Sequence, residues 1–77
     1  MSVTVESDCI RLSGRCLAED AEALLVALQE HPGLGVDIGE VRKLHLAVLQ
    51  VLLAARPRVT GTPDNAFLAA HVVDLLQ

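Results

Sequence analysis

The stretch KLHLAVLQVLLAAR, residues 43–56, does most to constrain what this chain can fold into. Between Leu44 and Ala55 its polar side chains are His45 and Gln50 alone. The segment has the length of a helix and stops before Pro57, which cannot continue one. A helix at a protein surface carries a polar face opposite its apolar stripe. This one lacks such a face, so it must be covered on more than one side. The chain has only 77 residues with which to do so. Below roughly 70–80 residues a core rarely supplies more than about 3–5 kcal/mol. Half of the residues are apolar (52%) but Phe67 is the only aromatic one, so the core must be built from Leu, Val and Ala.

The surrounding segments give this helix its neighbours. In VTVES, Val3 and Val5 share a face at period two, and in CIRLSG so do Ile10 and Leu12. Ser7 and Asp8 between them suit a tight hairpin, and Gly14 is expected to end the second strand. LAEDAEALLVALQEHPG places Leu17, Ala21, Leu24, Leu25 and Leu28 on one helical stripe. Glu19, Asp20 and Glu22 crowd its first turns, where the helix dipole favours negative charge. Pro32 and Gly33 stop it. LGVDI reads as a short buried strand that ends near Asp37, and GEVRK as a loop into the helix of residues 45–55. RVTG, residues 58–61, is a short strand candidate. TPDNAFLAAHVVDLLQ reads as a last helix, with Thr62 capping and Pro63 in the first turn.

The order is β-β-α-β-α-β-α, in one domain spanning residues 1–77. Strands that alternate with helices imply an α/β fold: a mixed sheet of about four strands with parallel crossovers and three helices. Val48, Leu49, Leu52 and Ala55 can then bury on the sheet. Leu46, Ala47, Gln50 and Ala54 lie on the other side of the same helix. Two readings of that side are open. Another polypeptide covers it, or the last helix or the N-terminus does.

Six basic against ten acidic residues leave a net charge of -4. Nucleic-acid binding needs the opposite balance, and an anionic membrane surface would repel this one. No apolar run reaches the roughly 20 residues of a membrane span, and MSVTVESD lacks the form of a signal peptide. A cytoplasmic location is the expectation. Cys9 and Cys16, without CxxC spacing, read as small buried hydrophobes in a reducing compartment.

Little points to catalysis or to a cofactor. His31, His45 and His71 stand on separate elements, without HxxxH or HExxH spacing, so no metal site is expected. His31 suits the negative end of the first helix. Ser13 and Cys16 are the nucleophiles near glycine, and neither has a base close in sequence. There is no GxSxG, and GLG at residues 33–35 is too short for a dinucleotide loop. Asp37 is expected to cap backbone N–H groups of the loop that follows it.

GLGVDIGEVRKLHLAVLQVLLAAR resembles the signature of STAS domains, the fold of sulfate-transporter tails and anti-sigma-factor antagonists. In that family a strand ends in an Asp-Leu-Ser-Gly-Val-like stretch. After a short loop, Asp-Ser-Ser-Gly-Leu or Asp-Thr-Ala-Gly-Leu opens a helix. Asp37, Ile38, Gly39, Glu40 and Val41 match the first part, and Leu49 to Leu53 match the helix. IRLSGRCLAEDAEALLVAL and RVTGTPDNAFLAAHVVDLL are similar to the family's earlier and final elements. The resemblance implies a non-enzymatic protein-interaction module whose partner touches the loop and the start of the helix. Carried over residue by residue, the partner-binding set is Asp37, Gly39, His45, Leu46, Ala47, Gln50 and Ala54.

In regulatory members a Ser or Thr at the helix start is phosphorylated, and the added charge dissociates the complex. Here Leu46 fills that slot. His45 stands for the Asp and Val48 for the Gly. Between Gly14 and Val59 there is no Ser or Thr at all, so a phospho-switch is absent in any register. The resemblance then favours a constitutive role: a scaffold, a homodimer, a partner of an anti-sigma factor or sensor kinase, or the small subunit of a lipid-transport ATPase. A small-molecule-binding domain is the alternative, and it would need a pocket with converging polar groups.

Overall fold

The computed structural model describes residues 2–63. Strand β1 (Val3–Val5) and strand β2 (Cys9–Cys16) form an antiparallel hairpin around Ser7 and Asp8. Helix α1 (Ala18–Glu30), strand β3 (Gly35–Leu44), helix α2 (Leu46–Ala55) and strand β4 (Val59–Thr60) follow. The sheet order is β1-β2-β3-β4, with β2, β3 and β4 parallel. Two successive parallel crossovers in one direction put α1 and α2 on the same face, where they pack against one another. The mixed four-stranded α/β architecture is therefore as expected. Two helices, not three, lie among the described residues; the last expected helix falls on residues 64–77, outside them.

The core is one cluster between the sheet and the helical layer. The strands contribute Val3, Ile10, Leu12, Cys16, Val36, Ile38, Val41 and Val59, and the helices Leu24, Ala27, Val48 and Leu52. No polar or charged residue among those described is buried. Each large aliphatic side chain fully removed from water stabilises by about 1.5–3 kcal/mol. Of the stripe expected on α1, Leu24 is buried and Ala21 and Leu28 partly so, whereas Leu17 and Leu25 are exposed. Ala27 takes a buried place instead. On α2, Val48 and Leu52 are buried, Leu49 is half-buried and Ala55 is exposed.

Several boundaries differ from expectation for a common reason. GEVRK is strand, not loop, and β2 runs on through Gly14 to Cys16. Arg11 pairs with Asp37 but Ser13 with Glu40, and Gly14 with Val41 but Arg15 with Lys43. Strand β3 thus carries two more residues than the β2 segment opposite it. Each extra residue is a bulge that resets the alternation. Val36, Ile38, Val41 and Leu44 turn inward at spacings of two, three and three, which hides the strand's period. Gly14, opposite Val41, adopts φ +62, a conformation natural to glycine. Asp37 accordingly lies inside β3, not at its end.

The helix ends are built locally. Leu17 precedes α1 and donates its N–H to Asp20 Oδ2 at 2.7 Å. His31 is the residue that closes α1, one beyond its last turn, and its N–H reaches Ala27 O. His45 caps α2: its Nδ1 accepts the Ala47 N–H at 3.0 Å. Arg56 ends α2 in the left-handed conformation, φ 51, just before Pro57.

Candidate docking surface and open sheet face

The two helices start side by side. Cys16 and Leu44 are paired at the ends of β2 and β3, and the His45 N–H donates to Cys16 O at 2.8 Å. Inward-facing Val48 and Leu52 fix the rotation of α2 about its axis. Leu46 and Gln50 then point away from the sheet, and Ala47 and Ala54 turn toward α1. Leu46 is 64% exposed, the most exposed large apolar side chain among the described residues. Between the helices runs a groove of about 530 Å³ lined by Ala21, Leu25, Ala47, Gln50, Val51, Ala54 and Ala55. Gln50 is its one polar side chain. Leu25, which lines it, and Val26, one position further round α1, are each exposed by more than two-fifths.

Leu46, Ala47, Gln50 and Ala54 therefore share one surface, with His45 at its end. Asp37 and Gly39 do not join them. Ile38 faces the helices, so Asp37 faces the other side of the sheet, and seven residues of strand, about 23 Å, separate it from Leu44. Asp37 Oδ1 accepts the Gly39 N–H at 2.8 Å, a backbone bond within the strand where a loop bond was expected. Sequence reasoning placed Leu25 inside and overlooked Val26. Leu24 and Ala27, with Ala21 and Leu28 partly buried beside them, fill the inward side of α1 and leave Leu25 to the groove.

The opposite face of the sheet is polar. Thr4, Arg11, Asp37 and Thr60 are successive partners across all four strands. Arg11 lies 3.4 Å from Glu6 and 3.5 Å from Asp37. Glu6 and then Asp37 hold its guanidinium in the charged form against the cost of desolvation. Arg11 Nε is buried without a hydrogen-bond partner. Beside this row a depression of about 320 Å³ is lined by Arg58, Cys9 and Asp8 as well. Glu6, Asp8 and Cys9 hold ligand-type atoms within 4.8 Å of one another. Glu6 is already engaged by Arg11 and by the Cys9 thiol, which points at Oε1 from 3.9 Å.

The two thiols differ. Cys16 is buried, and burial, then the charge of Asp20, push its pKa up to about 11, while its contact with the Ser13 carbonyl acts the other way. Cys9 is half-buried, not buried as expected. Partial desolvation and then Asp8 and Glu6 raise its pKa too. Neither is a free thiolate at neutral pH, so neither is primed as a nucleophile.

No helix among the described residues is long and apolar enough to cross a membrane. No protein-family model, curated protein or solved structure matches this chain.

Proposed function

We propose that this chain is a non-enzymatic, cytoplasmic protein-interaction module of STAS type that docks through the start and outward face of α2. The observation that carries the reading is Leu46. It opens α2 with its side chain 64% exposed, beside an apolar groove shared with α1. An apolar surface of that kind on a small domain marks an association site. The element order from β1 to β4 and the helix start after Leu44 support the family assignment, and the Asp37 carboxylate, which accepts the Gly39 N–H, contributes by holding β3 in shape. With Leu46 and Ala47 where regulatory relatives carry a hydroxyl, docking is constitutive and no phosphate at this position releases the partner. A scaffold or a subunit of a larger assembly, such as a lipid-transport ATPase, fits that behaviour better than a switched antagonist.

Capture of partners by the tagged chain, compared with its Leu46→Asp variant, tests the reading. The variant is expected to lose the partners that the unaltered chain retains. Equal capture by both would remove α2 as the docking element.

A further inference from the structure

Strands β2 and β3 end side by side with like charges on neighbouring positions. Arg15 is the sheet partner of Lys43, and Cys16 that of Leu44. Cys16 faces the core, so Arg15 and Leu17, on either side of it, turn to the open side of the sheet, as do Lys43 and His45 on either side of Leu44. Neighbouring side chains of one sign on a sheet repel and destabilise it. Exposed Arg42 adds a third positive charge beside Lys43. Neither Arg15 nor Lys43 forms an ion pair among the described residues, whereas Arg11 takes both Glu6 and Asp37. In a chain of net charge -4, three of the six basic residues thus stand at one corner of the sheet.

The same corner is hollow. A depression of about 310 Å³, at the small end of ligand sites, is lined by Arg15, Cys16, Leu17, Lys43, Leu44 and His45. It lies at the carboxyl ends of two parallel strands, the end of the sheet at which α/β folds bind ligands. The His45 ring adds a donor of fixed position. Its Nδ1 accepts the Ala47 N–H at 3.0 Å, so the neutral ring carries its proton on Nε2. Guanidinium, ammonium and Nε2–H supply donors, and Leu17 and Leu44 supply an apolar wall. We propose that this corner binds a small phosphate monoester, with the phosphate held between Arg15 and Lys43 and the organic body against Leu17. The proposal goes beyond the docking role of α2 and does not rest on it.

Charge selects the ligand class. A phosphate monoester gives up its second proton at about pH 6, so at neutral pH it is close to a dianion and matches two cations. A carboxylate carries one charge and would leave Arg15 or Lys43 uncompensated. Both cations are exposed, so binding is weak and falls with salt.

Amide chemical-shift titration of the isotope-labelled full chain at neutral pH and low salt tests this, with phenyl phosphate, inorganic phosphate and benzoate as probes. Phenyl phosphate should bind at one site with a Kd on the order of a millimolar and move the amides of residues 15–17 and 43–46. It should bind about five-fold tighter than inorganic phosphate, which has no apolar body, and than benzoate, which has one charge. Arg15→Gln and Lys43→Gln should each weaken binding about ten-fold. Arg58→Gln removes an exposed cation at the other end of the open face and should leave binding unchanged. Without ligand, Lys43→Gln relieves the repulsion and should unfold at the same temperature as the original chain or higher. No saturable shift up to roughly 20 mM phenyl phosphate, or an equal loss in Arg58→Gln, overturns the site. Benzoate that binds as tightly as phenyl phosphate overturns the phosphate assignment.

Discussion

Gly61 lies against Gly39 so closely that a β-carbon on Gly61 would come within 2.6 Å of the Gly39 nitrogen and 2.6 Å of Asp37 Oδ1. Gly61 also has φ +87, where side chains are strained whatever the space. The chain leaving β4 thus stays hard against β3 where the Asp37 carboxylate bonds to the Gly39 N–H. Gly61→Ala should destabilise by at least about 2 kcal/mol, combining steric overlap with an unfavourable backbone conformation. Urea unfolding measures the loss. Adding Asp37→Ala should recover only part of it, because the contact with Gly39 backbone remains.

His45 is an uncommon N-cap. Its Nδ1 accepts one of the orphaned N–H groups of α2. His45→Ala should cost about 1 kcal/mol, whereas His45→Ser or His45→Asp should equal or exceed the original stability, since shorter oxygen acceptors cap better. Thermal unfolding of the three variants orders them. An alanine variant as stable as the original would mean that the cap contributes nothing.

The thiols give a pH-dependent prediction. In the folded chain Cys16 titrates near pH 11, against an ordinary value of 9.0. Folding therefore favours the protonated thiol. Its contribution is complete below about pH 9 and is lost as pH rises through about 11. Stability should fall over that window, and the fall should be shallower in Cys16→Ala. Near pH 8 a thiol reagent should modify Cys9 first and reach Cys16 only as the chain unfolds.

Arg11 ties β2 to β3 through Asp37 and to the β1–β2 connection through Glu6. Arg11→Met should lower the urea midpoint by leaving two carboxylates near each other on the open face. The side chains are about a third exposed, so salt screens the interaction. The gap between the two proteins should narrow in high salt. A gap that stays constant would assign the effect to packing of the aliphatic stem.

What was legible in the residues was periodicity. Val3 and Val5, Ile10 and Leu12, and the stripe containing Leu24 and Leu28 each follow one clean period and mark β1, β2 and α1, whereas β3, β4 and α2 show as short or apolar runs bounded by turn residues. What was hidden was hidden by broken periods. Two bulges shift β3 from Ile38 to Val41 to Leu44, so a polar-looking GEVRK passed for a loop. The same misreading put Asp37 and Gly39 beside the start of α2, when the pleat turns Asp37 to the far face of the sheet. Rotation of a short helix was also ambiguous. Leu25 and Ala55 fit the inward stripes by spacing, yet Ala27 and Leu52 occupy the space. No single-sequence pattern locates the Arg11 row, because it exists only once three separate strand registers are set.

The exposure of Leu46 makes the central test of this molecule a clean one. A carboxylate at the first position of α2 is solvated and lies at the positive end of the helix dipole. Leu46→Asp should therefore leave stability within about 0.5 kcal/mol of the original, with intact helical signal in circular dichroism. Two residues on, Val48 is fully buried. Val48→Asp would place an unpaired charge in a core with no polar partner among the described residues, and should unfold the chain at room temperature. Urea titrations of the two variants side by side measure this contrast. A strongly destabilised Leu46→Asp would mean that Leu46 packs within its own subunit, and the docking face would go.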